Sequence, residues 1–543
     1  MSSAQAPATR EDDLPARRSQ SRDARTVVES LLLALLVITP WLILFTAIPP
    51  ANQEFCMCDE WAYARGAFAV LQGEGPHYYG LASMPLLGQW LWGIGFIKIF
   101  GQTRFVLRLS TLVLSFLGLA AFHQLLRQEM VPRGRAALAT ISLAWSPYFM
   151  MLSGSFMSDV PGLCSSLIAL AFYAHALSSG RTMSWVWAML AAIFGATTRQ
   201  NTVAAPLAAL AFILTTPERR RQPMAWLGCT VPLALAAGVQ YWMRFVPDAV
   251  PLGPHVPSPP EAGMVLFLGL IYSGLFSLPM LLWPGPRWSW DLTLCFALSL
   301  AGLGGSALWL YRSHHVFFPY LAIWLPEADA GAATVPPLYN LHALRIVLTV
   351  AACIGGSSLV TRALALVKSQ GPGHLLILFC GFHIAILMAA PILMDRYFLV
   401  LLPGGIYVAA ATARLADTGR LRLRAVLAAT LLLASGLASV GITHDWYATH
   451  VARWTLGKRG IALGLDPAQI EGGFAWDYWH SSITNWNKYS QAPGYKYAVS
   501  AAEFPNTQIL DREPYRLWLC GGTRWFYLLG PRGEHSGGQV IAK

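Results

Sequence analysis

Residues 27–50 read VVESLLLALLVITPWLILFTAIPP, and this stretch decides the fold. From Ser30 to Ile48 no charged side chain interrupts it. About 20 apolar residues at 1.5 Å rise cross a hydrocarbon core of about 30 Å. A cleavable signal peptide has a shorter core and a small-residue cleavage site. Here the run closes on Ile48-Pro49-Pro50 instead, so it reads as an uncleaved first span. The tail before it, residues 1–26, carries Arg17, Arg18, Arg22 and Arg25 and is expected on the cytoplasmic side.

The rest of the chain repeats the pattern. Of 543 residues, 55% are apolar and only 12% charged, with a mean hydropathy of +0.47. Soluble domains carry about a quarter charged residues, so a soluble enzyme, a disordered chain and a disulfide-built secreted module are all excluded. Further apolar segments centre on 105–126, 136–153, 160–178, 184–198, 202–216, 225–246, 263–283, 290–311, 343–364, 374–392, 398–413 and 425–443. The expectation is a polytopic α-helical membrane protein of about 13 transmembrane helices, its C-terminus on the far side.

The net charge of +11 sorts with this topology and not with nucleic acid. Arg127, Arg133, Arg135, Arg181, Arg219, Arg220, Arg221, Arg287, Arg362, Lys368, Arg414, Arg420, Arg422 and Arg424 all fall in loops on the cytoplasmic side of that count. Pro85–Phe100 is apolar too, but counting it as a span would move every later cluster outside. It is therefore expected as an interfacial or re-entrant helix with its two Trp at headgroup depth. Most cysteines lie in or beside apolar runs, where Cys acts as a small hydrophobe, and Cys56 and Cys58 alone are too few for zinc.

Three regions follow: the tail 1–26, a membrane domain 27–443 that includes a first external loop 49–102, and an external domain 444–543. The last holds seven of the 21 Trp. Its stretches YKYAVSAAEF, YRLWLCGG and RWFYLLG set β-formers between Gly and Pro signals, the pattern of a small mixed α/β domain.

Ionisable groups at a membrane are costly unless paired or wet, so they mark candidate sites. Asp59 and Glu60 follow the first span in CDEWAYARGAFAVLQG, which reads as a helix lying on the membrane with Trp61, Ala64, Phe68 and Leu71 on one face. Asp159, in SGSFMSDVPGL, falls on the same external face. Helix capping accounts for either acid alone; two carboxylates at one depth suit general-base catalysis or a divalent cation. Arg199-Gln200-Asn201 sits at the apex of a hairpin with arms of about 15 residues, so it is expected recessed. Arg396, between Asp395 and Tyr397, occupies a similar place, and Arg312, His314 and His315 follow in YRSHH. Guanidinium forks suit phosphate, although each Arg also suits an interfacial anchor.

These motifs, in this order, resemble the GT-C glycosyltransferases, within them the protein O-mannosyltransferase and lipid A aminoarabinose transferase group. The residues that carry the resemblance are Asp59-Glu60-Trp61-Ala62-Tyr63-Ala64, Met84-Pro85-Leu86-Leu87-Gly88-Gln89-Trp90-Leu91, Ile99-Phe100-Gly101, Arg104-Phe105-Val106-Leu107-Arg108-Leu109, Ser158-Asp159, Thr198-Arg199-Gln200, Asp395–Phe398 and Gly472–His480. It covers the first 200 residues and the rest in patches. One place departs: aminoarabinose transferases carry an acidic-basic pair before the Pro-Leu segment, and here Ser83 and Met84 stand there.

The resemblance implies a GT-C-like fold in the inner (plasma) membrane with the C-terminal domain periplasmic or extracellular. It implies transfer of a sugar from a polyprenyl-phosphate donor to a hydroxyl of an envelope lipid, glycan or protein. Asp59, Glu60 and Asp159 are the candidate catalytic residues, with Asp59 as general base. Arg199, Gln200, Arg396, Tyr397 and Arg312 are candidates for the donor phosphate. Asp59, Asp159, His314 and His315 are the candidate ligands of a divalent cation such as Mg, Mn or Zn. Two other classes compete: a lipid or sugar transporter, expected to place its charges at mid-membrane in repeated halves, and a non-catalytic scaffold suggested by the Trp-rich outer domain.

Overall fold

The computed structural model describes residues 14–79, 82–250, 253–315, 341–370, 374–391, 393–413, 418–480, 494–519 and 521–532. Its helices are α1 (Leu14–Ala47), α2 (Glu60–Leu71), α3 (Leu87–Phe100), α4 (Arg104–Gln128), α5 (Arg133–Ala144), α6 (Pro147–Ser153), α7 (Asp159–Ser179), α8 (Thr182–Thr198), α9 (Ala204–Thr215) and α10 (Pro217–Arg220). They continue as α11 (Pro223–Met243), α12 (Pro259–Phe276), α13 (Leu278–Leu281), α14 (Trp290–His314), α15 (His342–Gln370), α16 (Leu375–Met388), α17 (Leu402–Ala411), α18 (Thr418–Ala462) and α19 (Phe474–His480).

Every apolar segment marked in the sequence falls on helix. Among the described residues, eight helices are long and apolar enough to cross a membrane, or up to nine if a bent pair counts as one span. The helices over 182–198, 200–215 and 375–388 are shorter. The bent pair is α5 and α6, expected as one straight run over 136–153 but meeting at 64°. Pro147 opens α6 and has no N–H to continue the ladder. The Trp145 carbonyl at the break accepts from the hydroxyls of Ser439 at 2.7 Å and Ser435 at 3.3 Å, both on α18.

Two further expectations change. α3 has 14 residues, about 21 Å at 1.5 Å each, short of a span. Yet its Trp90 does not face outward: it is 1% exposed and donates to the Tyr63 carbonyl at 2.9 Å. It lies so close to α2 that a Cβ on Gly66 would meet its ring at 2.4 Å. Nor does α2 lie bare on the membrane. Its Trp61 stacks on Tyr478 of α19 at 4.8 Å and 14°, so the C-terminal domain covers it.

The C-terminal domain is the expected mixed structure. Strands β1 (Ile470–Glu471), β2 (Tyr497–Ser500), β3 (Thr507–Arg516) and β4 (Thr523–Pro531) form one sheet in the order β1-β2-β4-β3. β1 pairs with β2 in parallel, while β2–β4 and β3–β4 are antiparallel. Position 443/444, where charge density rises in the sequence, falls inside the unbroken helix α18.

Candidate active site

Four of the expected residues converge at helix ends. Asp59 stands at the N-cap position of α2, but its carboxylate makes no capping hydrogen bond. Instead it accepts from Arg396 Nη2 at 2.6 Å. Arg396 lies in the 3-10 segment Asp395–Leu401 that leads into α17, and its Nε stands 3.8 Å from Asp159 Oδ2. Asp159, in the first turn of α7, is 3.1 Å from Arg199 Nη2. Arg199 ends α8 in extended backbone and donates to the Ser158 hydroxyl at 2.7 Å. The order is Arg199, Asp159, Arg396, Asp59, with charges alternating.

Burial grades along this row. Asp159 is 2% exposed and both arginines are buried, whereas the Asp59 side chain is 33% exposed. The Asp159 oxygens lie within ion-pair range of guanidinium nitrogens, yet neither has an aligned hydrogen bond. Tyr397 floors the cluster, its ring 4.9 Å from the Arg199 guanidinium and 5.7 Å from that of Arg396. Gln200 donates to the Ser83 carbonyl at 2.5 Å, which ties the 199–203 turn to the segment before α3. The row thus offers one accessible carboxylate beside two buried guanidinia, suited to taking a proton next to a group that gains negative charge.

Glu60 behaves differently from its neighbour. It is 1% exposed, and Arg108 grips it with Nε to Oε1 at 2.8 Å and Nη2 to Oε2 at 2.7 Å. The backbone N–H groups of Met57 and Phe156 fill its remaining acceptor positions at 2.9 and 2.8 Å. Arg108 also donates to the carbonyls of Gln53 and Phe55. This pair fastens the chain before α2 and the loop before Asp159 onto α4. The sequence held the signal: an arginine one turn inside an apolar span must find a partner.

The remaining candidates stand apart. Arg312 and His315 are exposed at the end of α14 with no described contact to the cluster, and the His314 side chain lies outside the described residues. Among the described residues no three His, Cys, Asp or Glu gather where a metal ion would sit. Arg396 stands between the two aspartates, so guanidinium charge occupies the place a divalent cation would need.

The architecture is a mostly helical fold with at least eight helices long and apolar enough to cross a membrane among the described residues, and a small mixed C-terminal domain. Residues 83–242 match the family described as dolichyl-phosphate-mannose-protein mannosyltransferase. The chain is similar in structure to apo ArnT from Cupriavidus metallidurans, with a TM-score of 0.51 and 11% identity over 94% of this chain and 99% of that one. The same protein bound to undecaprenyl phosphate gives 0.46 at 11% identity over the same shares. Archaeal oligosaccharyltransferase AglB from Archaeoglobus fulgidus, in complex with an inhibitory peptide and a dolichol-phosphate, gives 0.40 at 12% identity over 87% of this chain and 69% of that one. A search of curated proteins finds no match.

Proposed function

We propose that this protein is an integral membrane glycosyltransferase that moves a sugar from a polyprenyl-phosphate donor to a hydroxyl of a cell-envelope lipid, glycan or protein. The reaction takes place on the extracytoplasmic side of the inner membrane. The observation that carries this is the row itself: an accessible Asp59, not spent as a helix cap, beside two buried guanidinia. The family match over 83–242, described by a lipid-phosphate sugar donor, supports the donor class. The topology read from the sequence sets both carboxylates at one membrane face, away from the midplane where transporters place their charged sites, which argues against a transporter.

The chemistry is a single displacement. The acceptor oxygen forms a bond to the anomeric carbon as the bond from that carbon to the phosphate oxygen breaks. The hydroxyl proton passes to Asp59, and the electron pair leaves with the polyprenyl phosphate. Charge growing on the phosphate meets Arg199 and Arg396, preorganised by Ser158, Asp159 and Tyr397. Glu60 takes no proton here; with both oxygens occupied, it positions Asp59 and the loop before Asp159.

Mass spectrometry of the envelope from a deletion strain identifies the acceptor that loses a sugar. Purified protein should then transfer that sugar from polyprenyl phosphate in vitro. An envelope unchanged by deletion, together with no transfer from any polyprenyl-phosphate sugar supplied, would sink the proposal.

A further inference from the structure

The turn between β3 and β4 sits unusually low for a soluble domain. Arg424 belongs to the cytoplasmic cluster, and Asp445 lies twenty-one residues further along α18. At 1.5 Å per residue that is about 31 Å, the thickness of a hydrocarbon core. Asp445 therefore marks the outer boundary of the apolar layer, and Gly441 lies one turn inside it. The turn reaches this level. The Asp445 carboxylate accepts from the backbone N–H groups of Trp518 at 2.6 Å and Leu519 at 3.1 Å. Leu519 packs so tightly on Gly441 that a Cβ there would meet its side chain at 2.7 Å. Trp518 stacks on His444 at 3.8 Å and 7°.

What this clasp presents outward is a single indole with a basic rim, while Leu517 is buried beneath it. Trp518 stays 41% exposed although it is stacked on His444. Gly521 and Gly522 are exposed, and Arg516 is exposed at the last β3 pair, opposite Thr523. Arg524, one residue on, pairs with Tyr515 across the same hairpin. An indole at headgroup depth with guanidinia just above it is the arrangement of interfacial anchors.

We infer that the β3–β4 turn is a membrane anchor, its Trp518 indole seated in the outer headgroup region of the bilayer and Arg516 reaching anionic lipid headgroups. The C-terminal domain is then held to the membrane at two points: α18 and this turn. The inference is independent of the transferase activity.

Trypsin supplies a clean readout, because Arg516 and Arg524 bracket the peptide LWLCGGTR over residues 517–524. Full-length protein in nanodiscs containing anionic phospholipid is photolabelled with a phospholipid bearing a carbene precursor high on its acyl chain. The 517–524 peptide should carry label within about threefold of peptides from the exposed face of α14. The equally apolar peptide WFYLLGPR, residues 525–532, is the control and should carry at least tenfold less. Label on 517–524 no higher than on that control, with α14 labelled normally, would overturn the anchor. Label that stays equal when the anionic lipid is replaced by a zwitterionic one, or after Arg516→Glu when read on the longer 513–524 peptide that the variant yields, would overturn the role of Arg516.

Discussion

Asp59 and Glu60 are neighbours in sequence and opposites in structure. The Glu60–Arg108 pair is closed: both carboxylate oxygens hold a guanidinium nitrogen and a backbone N–H, and nothing reaches solvent. The Asp59 row is open, with aspartate oxygens short of hydrogen bonds inside and a one-third-exposed carboxylate at its end. A saturated buried pair stores its interaction energy in the fold. An unsaturated one keeps acceptor and donor capacity for a ligand. Two acids in one motif have divided structure and chemistry between them.

The comparison can be broken in order of expected effect. Glu60→Ala leaves the Arg108 guanidinium buried and uncompensated, at about 3–5 kcal/mol of stability. Thermal melting in detergent should show a large fall, and a near-parental melt would mean that the pair is not closed. Arg199→Lys keeps the charge but loses the fork to Ser158 and Asp159. Hydrogen bonds to charged groups are worth about 1.5–3 kcal/mol. The kcat/KM for the polyprenyl-phosphate donor should therefore fall about ten- to a hundredfold, with kcat falling too because the phosphate gains charge as the bond breaks, and an unchanged kcat/KM would remove Arg199 from the donor site. Tyr478→Leu removes the stack on Trp61, worth about 0.5–1.5 kcal/mol beyond buried area. Hydrogen exchange should rise in α2 and α19 while the Glu60 pair stays protected; equal loosening of both would show that the domain supports the closed pair as well.

The smallest effect is a pH dependence in the domain. Burial first, then the charges of Arg104 and Arg65, push the His480 pKa down from 6.5 to about 4. The unfolded chain thus takes up a proton that the folded domain refuses. Stability is full above about pH 6.5 and declines as pH falls from there through 4. Melting curves against pH should show this slope, and His480→Gln should flatten it. An unchanged slope would assign it to other groups.

Much of this was legible in the sequence because charge is scarce here. In a chain so apolar, Asp59, Asp159, Arg199 and Arg396 stand out, and the topology set them on one face before any packing was known. What stayed hidden depends on close contact. Nothing in the order Asp59-Glu60 tells which acid is sealed, since that follows from where Arg108 and the Phe156 N–H arrive from distant segments. Trp90 looked like an interfacial ring because sequence cannot show that Gly66 opens a slot for it. The 64° bend after Trp145 was foreshadowed by Ser146-Pro147, but the serines that satisfy it lie on α18, almost three hundred residues on.

The central claim is that the open carboxylate does chemistry and the closed one does not. Asp59→Asn tests it most directly, in purified full-length protein with the polyprenyl-phosphate sugar and the acceptor found from the deletion strain. A lost general base costs about a hundred- to ten-thousandfold in rate. Asp59 makes no capping bond to lose, and Asn keeps an amide oxygen to accept from Arg396 Nη2, so the melt should stay close to the parent's. Transfer reduced by that factor in a protein that melts normally is the predicted result. Parental transfer rates in Asp59→Asn would contradict the account.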